Sequence, residues 1–200
     1  FSMNIAFIHH DKKIGTGAHY INDLMSVKLR AKGIRVKHFY PRSTLVDSPT
    51  NLKGIANILF FYSLLEHKQE ILQYSLIQGT TYTPLPFLAF HKPVVCHFGS
   101  TTRGFLHATP LANAIEQETR NIWYGLRHEG VITELNLKTR RPLRDIAEIE
   151  RYTASRAAAV IATSKRVKDE LMADGVDAKK IAVIHNALED YWFEKSLAPM

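Results

Sequence analysis

A glycine-rich loop near the start of the chain has residue types that suit ligand binding. Gly15, Thr16 and Gly17 follow the apolar run Asn4–Ile8 and precede a segment with helical periodicity. Two glycines let the backbone approach a ligand closely, and the positive end of a helix favours an anion. The pattern therefore predicts a phosphate-compatible loop; the alternative is that the glycines only relax a turn. It is not the dinucleotide fingerprint G-x-G-x-x-G, because Tyr20 occupies the third glycine position.

A histidine stands near the end of a second apolar run. The run Val94–Phe98 contains His97 and is followed by a polar stretch with Ser100, Thr101 and Arg103. An imidazole there can hydrogen-bond a sugar hydroxyl or help to neutralise charge, and the hydroxyls and guanidinium suit a polar or phosphorylated ligand. The alternative for His97 is a core histidine with satisfied hydrogen bonds. Its place beside the exit of the run favours contact with a ligand, and Ser100, Thr101 and Arg103 are candidate substrate contacts.

Two further polar positions follow later apolar runs. Ser164 comes after Ala159–Ala162, where its hydroxyl can cap a helix or contact a ligand. Asn186 follows Ile181–Ile184 and can form a turn in left-handed geometry or bind substrate. In an open parallel sheet, ligands bind beyond the carboxyl ends of the strands. That rule places all of these loops at one edge, provided that the runs are parallel strands.

The runs themselves predict such a sheet. The last two are rich in branched residues and lack alternation, as expected for strands covered on both faces. Between them, Val167, Leu171 and Met172 fall on one helix face, and Gly175 is placed to end that helix in left-handed geometry. Ile21, Leu24, Met25 and Leu29 mark an earlier helix that ends at Gly33. These segments predict βαβ units.

The rest of the chain extends this pattern into a Rossmann-like α/β fold, a parallel sheet with helices on both faces. The remaining predicted strands are 34–39, 58–62 and 75–78. The remaining predicted helices are 65–74, a short buried one near 85–90, a long one carrying Leu111, Ile115, Ile122 and Leu126, and 143–152. No internal repeat or domain linker is visible.

Composition narrows the classes of function. The chain has 200 residues, 46% of them hydrophobic, which is enough for one large domain. Its net charge of +7 fits either an anionic partner or a solubilising surface. No basic motif of a nucleic-acid-binding module is present, so no nucleic-acid partner is expected. Cys96 is the single cysteine and the ten histidines lack H-x-x-x-H spacing, so the sequence predicts no metal site.

The segment from Val160 to Phe193 resembles the end of the N-terminal domain in GT-B glycosyltransferases of the retaining family 4. That family has roughly V-I-A-x-S, a helix, then G-V-x-x-x-K-I-x-V-I-x-N-G-V-D and a nearby phenylalanine. The glycine loop followed by K-G-I-R-V, and the strand VVCHFGS, are also similar to family motifs. The matched positions are Val160, Ile161, Ala162, Ser164, Gly175, Val176, Lys180, Ile181, Val183, Ile184, Asn186 and Phe193.

The resemblance implies an activity and a division into domains. It implies transfer of a sugar from a nucleotide-diphosphate sugar to a hydroxyl acceptor, with retention and without a metal ion or other cofactor. His97 stands where the family has its active-site histidine. Residues 3–188 would form the acceptor-side domain and 189–200 the start of an interdomain segment or a tail. The family's E-x7-E pattern is absent from these 200 residues, so the C-terminal, donor-binding domain is an expected missing partner.

Departures from the family pattern leave alternatives open. Ala187 replaces the glycine after Asn186, and Ile34 stands where histidine is frequent. One alternative is a non-catalytic half that supplies an acceptor or an anionic membrane surface to a separate catalytic subunit. Another is a nucleotide-dependent oxidoreductase or epimerase on the same sheet. The expected location is cytoplasmic, with peripheral attachment to the inner membrane face as a further hypothesis.

Overall fold

The fold is a parallel α/β sheet with helices on its two faces. The computed structural model describes residues 3–12, 17–42, 60–109, 117–131 and 140–189. Within these residues, six parallel strands form one sheet in the order β2-β1-β3-β4-β5-β6. The strands are β1 Asn4–Ile8, β2 Arg35–Phe39, β3 Leu76–Thr80, β4 Val94–Phe98, β5 Ala159–Ala162 and β6 Ile181–Val183.

Helices connect these strands along the chain. They are α1 Gly17–Ala31, α2 Lys68–Ile71, α3 Thr102–Ala108, α4 Gln117–His128, α5 Arg140–Arg156 and α6 Lys165–Ala173. Residues 60–65 are also helical, and 3₁₀ turns occupy Leu85–Phe87 and Ala178–Lys180. The predicted Rossmann-like fold class is therefore confirmed.

Successive side chains along the strands point to opposite faces of the sheet. Ile5, Phe7 and Val36 pack on one face with Met25 and Leu29 of α1. Their strand neighbours point to the opposite face and join the larger core, in which the buried aromatic and aliphatic side chains include Ile8, Phe60, Phe87, Phe98, Val160 and Leu171. Because both faces are covered near β1, its sequence is a continuous apolar run and not an alternating one.

The predicted strand over 58–62 is wrong. Residues 60–65 are helical, while 58 and 59 lie outside the described residues. Phe60, Ser63 and Leu64 are all buried, and Tyr62 is 67% exposed. Burial at i, i+3 and i+4 is the helical period, and an apolar run this short does not distinguish the two periods. The predicted helix over 65–74 is correspondingly reduced to α2, which buries Ile71.

Other helix predictions hold in part. Gly33 and Gly175 end α1 and α6 with φ of +77° and +85°, as their positions predicted. Val167 and Leu171 are buried, but Met172 is 43% exposed and does not belong to the buried face. Ile122 and Leu126 lie on α4 but are 62% and 39% exposed. Leu111 and Ile115 lie outside the described residues.

Removing the cap of α6 is expected to cost about 1 kcal/mol of stability. The Ser164 side chain accepts a hydrogen bond from the Val167 backbone N–H at 3.2 Å. Ser164→Ala leaves that donor without its partner at the helix start. Urea denaturation followed by circular dichroism measures the loss. Ser155→Ala is the matched control, because this exposed hydroxyl only bonds the carbonyl of Arg151 in its own helix; an equal loss in both variants would contradict the capping role.

Candidate functional site

The candidate catalytic histidine lies at the carboxyl end of β4. His97 pairs in register with Thr80 of β3 and with Ile161 of β5. Its side chain is 8% exposed, and its Nδ1 atom is buried without a hydrogen-bond partner among the described residues. Burial lowers the pKa of His97, so the imidazole is neutral at pH 7 and can both donate and accept a hydrogen bond.

An open groove of about 340 Å³ brings His97 and Asn186 together. One wall is the apolar face of α1 with Ile21, Leu24 and Met25, and the other is formed by the ends of β5 and β6 and the residues after them. Asn186 is exposed on this second wall. The apolar face of α1 that the sequence predicted is therefore partly a groove wall, while Met25 and Leu29 also pack against β1 and β2.

The glycine loop is only partly within the described residues. Gly15 and Thr16 lie outside them, so the predicted phosphate-compatible loop stays a prediction. Gly17 is the first residue of α1 and is exposed. A Cβ added at Gly17 would meet no atom within 4 Å among the described residues, so packing does not explain a glycine there.

Thr101 and Arg103 make contacts within the domain. Thr101 is buried, caps α3 by accepting from the Gly104 backbone N–H at 2.9 Å, and donates to Glu170 at 2.5 Å. Arg103 forms ion pairs with Asp174 and Glu148. These contacts dock α3 on α5 and α6. The expected cation of this loop is thus already paired with two carboxylates, and its role in substrate binding stays a prediction.

The two candidate serines, Ser100 and Ser164, have different surroundings. Ser100 is exposed and borders a second cavity at the carboxyl ends of β3 and β4. Ser164 caps α6, which is the structural alternative that its position had left open. His185, beside Asn186, has its Nδ1 atom 3.0 Å from the Thr163 carbonyl. That contact holds the segment after β6 against the end of β5.

A hydrogen-bond chain of buried and half-buried side chains, which the sequence did not reveal, ties α1 to the ends of β1 and β2. Asn22 Nδ2 lies 3.4 Å from His9 Nδ1, His9 Nε2 lies 2.8 Å from His38 Nδ1, and His38 Nε2 lies 3.0 Å from Ser26 Oγ. Because the Asn22 amide nitrogen can only donate, His9 Nδ1 accepts and its Nε2 carries the proton. The same logic makes His38 the donor to Ser26. We name Asn22, His9, His38 and Ser26 the histidine relay.

The aromatic rings of this arrangement lie nearly parallel to one another. The His9 and His38 rings lie edge to edge and nearly coplanar, with their centroids 5.0 Å apart, and the His9 ring stacks on Tyr40 with centroids 4.8 Å apart. Burial lowers the pKa of His9 to about 3, with the neighbouring His38 as the next cause. Burial also lowers the pKa of His38. Both rings are therefore neutral at physiological pH, as the relay requires.

His10 faces the other side of the sheet from His9, as expected for neighbours on an extended chain. Its Nδ1 and Nε2 atoms lie 3.1 Å and 3.3 Å from the hydroxyls of Thr80 and Thr81. Burial lowers the pKa of His10 to about 4. In the sequence, the histidine relay and the His10 contacts were indicated only by the position of histidines at the ends of two predicted strands, His9 and His10 at the first and His38 at the second. Their partners are distant in sequence, so the signal did not identify the contacts.

Comparison with known proteins decides the family. The sequence model described as Glycosyltransferase Family 4 matches residues 24–190. The chain belongs to Glycosyltransferase Family 4. No curated protein sequence gives a significant match to this family 4 chain.

Solved structures of GT-B glycosyltransferases share the fold of this family 4 chain. HepE of Anabaena, solved in complex with UDP and glucose, is 17% identical with a TM-score of 0.51, and the match covers 94% of this chain and 46% of HepE. Sucrose-phosphate synthase of Thermosynechococcus elongatus is 15% identical with a TM-score of 0.55, covering 92% and 48%. The lipopolysaccharide outer core galactosyltransferase WaaB is 12% identical with a TM-score of 0.50, covering 93% and 46%.

The family 4 chain thus spans about half the length of these solved structures. At these identities the likeness shows the fold and not a shared substrate. Among the described residues of the chain, no helix is both long and apolar enough to cross a membrane.

Proposed function

We propose that this chain is the acceptor-side domain of a retaining glycosyltransferase that moves a sugar from a nucleotide-diphosphate sugar to a hydroxyl acceptor. Residues 3–188 would form the domain, and 189–200 would begin the segment that leads to a donor-binding half. The observation that carries this proposal is the buried imidazole of His97 in a family 4 sheet, at the carboxyl edge where such sheets bind ligands. HepE, whose structure holds UDP and glucose, supports the donor class by analogy of fold.

His97 has the position and the protonation state for contact with a transferred sugar. His97 lines the groove, so its ring can contact a ligand there, and its Nδ1 atom is buried without a described partner. As a neutral ring it can hydrogen-bond a hydroxyl in the ground state and stabilise positive charge that develops on the sugar in the transition state. Asn186, on the facing wall of the groove, would contact the same substrate. No metal ion or other cofactor takes part in the proposed reaction.

Substitution of His97 in the full-length gene product is the test. His97→Ala is expected to lower kcat roughly 100-fold with a smaller change in the donor KM, because the contact strengthens in the transition state. His97→Gln keeps an N–H donor and is expected to recover part of the rate. His128→Gln, at a histidine whose side chain is 87% exposed, is the matched control. Release of nucleoside diphosphate from a panel of nucleotide sugars is the measurement, and undiminished turnover by His97→Ala would refute the role.

The need for a donor-binding half has its own test. The 200-residue chain alone is expected to show no turnover, and measurable transfer by this purified chain would refute that need. Product analysis by NMR distinguishes retention from inversion at the anomeric carbon. Saturable binding of a nicotinamide cofactor would instead favour the oxidoreductase alternative.

A further inference from the structure

A small polar cavity lies between His97 and the histidine relay. It has a volume of about 10 Å³, which is enough for one water molecule. Its lining includes Asn22 and His9 of the relay, Gln78 of β3 and His97 of β4. All four of these side chains belong to buried residues. The cavity therefore brings together buried polar groups from distant parts of the chain.

The sheet register places these side chains on one face. Phe7 pairs with Gln78, and Thr80 pairs with His97. Paired residues of parallel strands project to the same face, and so do residues two apart on one strand. His9 and His97 therefore share the face on which α1 packs, with β3 between them. Two strand spacings separate their backbones by about 10 Å, which is too far for a direct hydrogen bond between the rings.

The hydrogen bonds made around the cavity determine which groups its lining can offer. The Asn22 amide nitrogen lies 3.4 Å from His9 Nδ1, and the Gln78 amide nitrogen lies 3.3 Å from Sδ of Met25. Because both nitrogens are used as donors, the carbonyl oxygens of these two amides are the acceptors that they offer to the cavity. A water molecule that donates to both oxygens can only accept from its third partner.

His97 supplies that third partner. Its Nδ1 atom is buried and has no hydrogen-bond partner among the described residues. Leaving a buried polar atom unpaired is unfavourable, and a bridging water removes that cost. Burial lowers the pKa of His97, so at pH 7 the ring is neutral and only one of its nitrogens carries a proton. The hydrogen bond that the ring makes decides which nitrogen this is.

We propose that one buried water molecule bridges His97 Nδ1 to the carbonyl oxygens of Asn22 and Gln78, and so places the proton of His97 on Nδ1. The Nε2 atom then offers a lone pair to the groove that His97 lines. A lone pair accepts a hydrogen bond from a sugar hydroxyl and stabilises positive charge that develops on the transferred sugar. The inference rests on the proposed function and adds Asn22 and Gln78 as positioning residues, which act through the orientation and tautomer of His97.

The position of the proton on His97 is measurable in the 200-residue chain. Two-bond ¹H–¹⁵N spectra at about pH 8, where ordinary histidines are neutral, identify the protonated nitrogen of each imidazole. We expect the proton on Nδ1 of His97, and on Nε2 of the exposed His91, as in histidine side chains surrounded by water. His97→Gln assigns the His97 signals by their loss. Cross-relaxation should also connect a long-lived water to the side-chain amide protons of Asn22. A proton on Nε2 of His97, or no such water, would overturn the proposal.

Two apolar substitutions test the positioning role. Asn22→Leu and Gln78→Leu each remove one acceptor of the water, and each is expected to move part of the His97 population to the form with the proton on Nε2. In the full-length gene product we expect kcat to fall roughly tenfold and the donor KM to change less than about threefold, because the tautomer matters most when charge develops in the transition state.

Leu76→Ala is the matched control for these variants. Leu76 lies two residues before Gln78 on the same face of β3, and it packs with the apolar side chains beneath α1 instead of lining the cavity. This substitution should lower stability but leave the tautomer of His97 and kcat unchanged.

The results separate this inference from the proposed function. An unchanged His97 tautomer, or an unchanged kcat, in both leucine variants would refute the positioning role. Transfer by the full-length product with the proton of His97 on Nε2 would refute this inference alone. A proton on Nδ1 without any transfer would refute the proposed function alone.

Discussion

Lowering the pH from 7 to 5 is expected to reduce the free energy of unfolding by about 2 kcal/mol through His9 alone. The pKa of His9 is about 3 in the folded chain, below the ordinary value of 6.5 that applies when the chain is unfolded. The unfolded state therefore binds a proton between these values and the folded state does not. The contribution of His9 to stability is complete above pH 6.5 and is lost as the pH falls from there toward 3. His10, with a pKa of about 4, adds to the loss in the same direction.

Urea denaturation at pH 7 and pH 5 measures this dependence. His9→Gln should be less stable at pH 7, because it breaks the histidine relay, but its stability should fall less between the two pH values. His128→Gln, at an exposed histidine, should retain the full pH dependence of the unsubstituted chain. Equal slopes in the His9→Gln variant and the unsubstituted chain would show that His9 does not control acid stability.

Gly79→Ala is expected to destabilise the fold by about 3 kcal/mol, the upper part of the range for overpacking. A Cβ at Gly79 would overlap the Thr83 hydroxyl and lie 2.5 Å from Cδ of Pro84. Neither group can yield easily, because the proline ring is rigid and the buried Thr83 hydroxyl donates to the Ile8 carbonyl at 3.1 Å. The strain would therefore fall on the junction of β3 with β1.

Gly99→Ala is the matched control for this substitution. Gly99 follows the adjacent strand β4, and a Cβ there would meet no atom within 4 Å among the described residues. Its cost should stay within about 0.5 kcal/mol, as for other surface changes. Thermal and urea unfolding of both variants give the comparison. A Gly79→Ala chain as stable as Gly99→Ala would mean that the segment at Thr83 and Pro84 packs less tightly against β3 than the structure describes.

The strands that are buried on both faces were the most predictable elements. β1 and β4 have the bounds that their apolar runs predicted, and β5 agrees as well. These runs have only one way to cover all of their side chains, between layers of helices. The segment at 58–62 failed for the opposite reason. Its apolar residues could be buried with the period of a strand or with that of a helix. The tertiary packing that buries Phe60 and Leu64 favours the helix.

For the candidate site, too, local sequence patterns predicted some features and tertiary packing decided the others. By itself, the sequence determined the Rossmann-like class, the family 4 pattern and the position of His97 at a strand end, because these depend on local runs and on motifs with fixed spacing. Only the tertiary structure decided which polar groups meet. His9 and His38 are 29 residues apart in the chain, and Thr102 and Glu150 are 48 apart. Such contacts are made by the order of strands and the docking of helices, and no periodicity in the sequence encodes them.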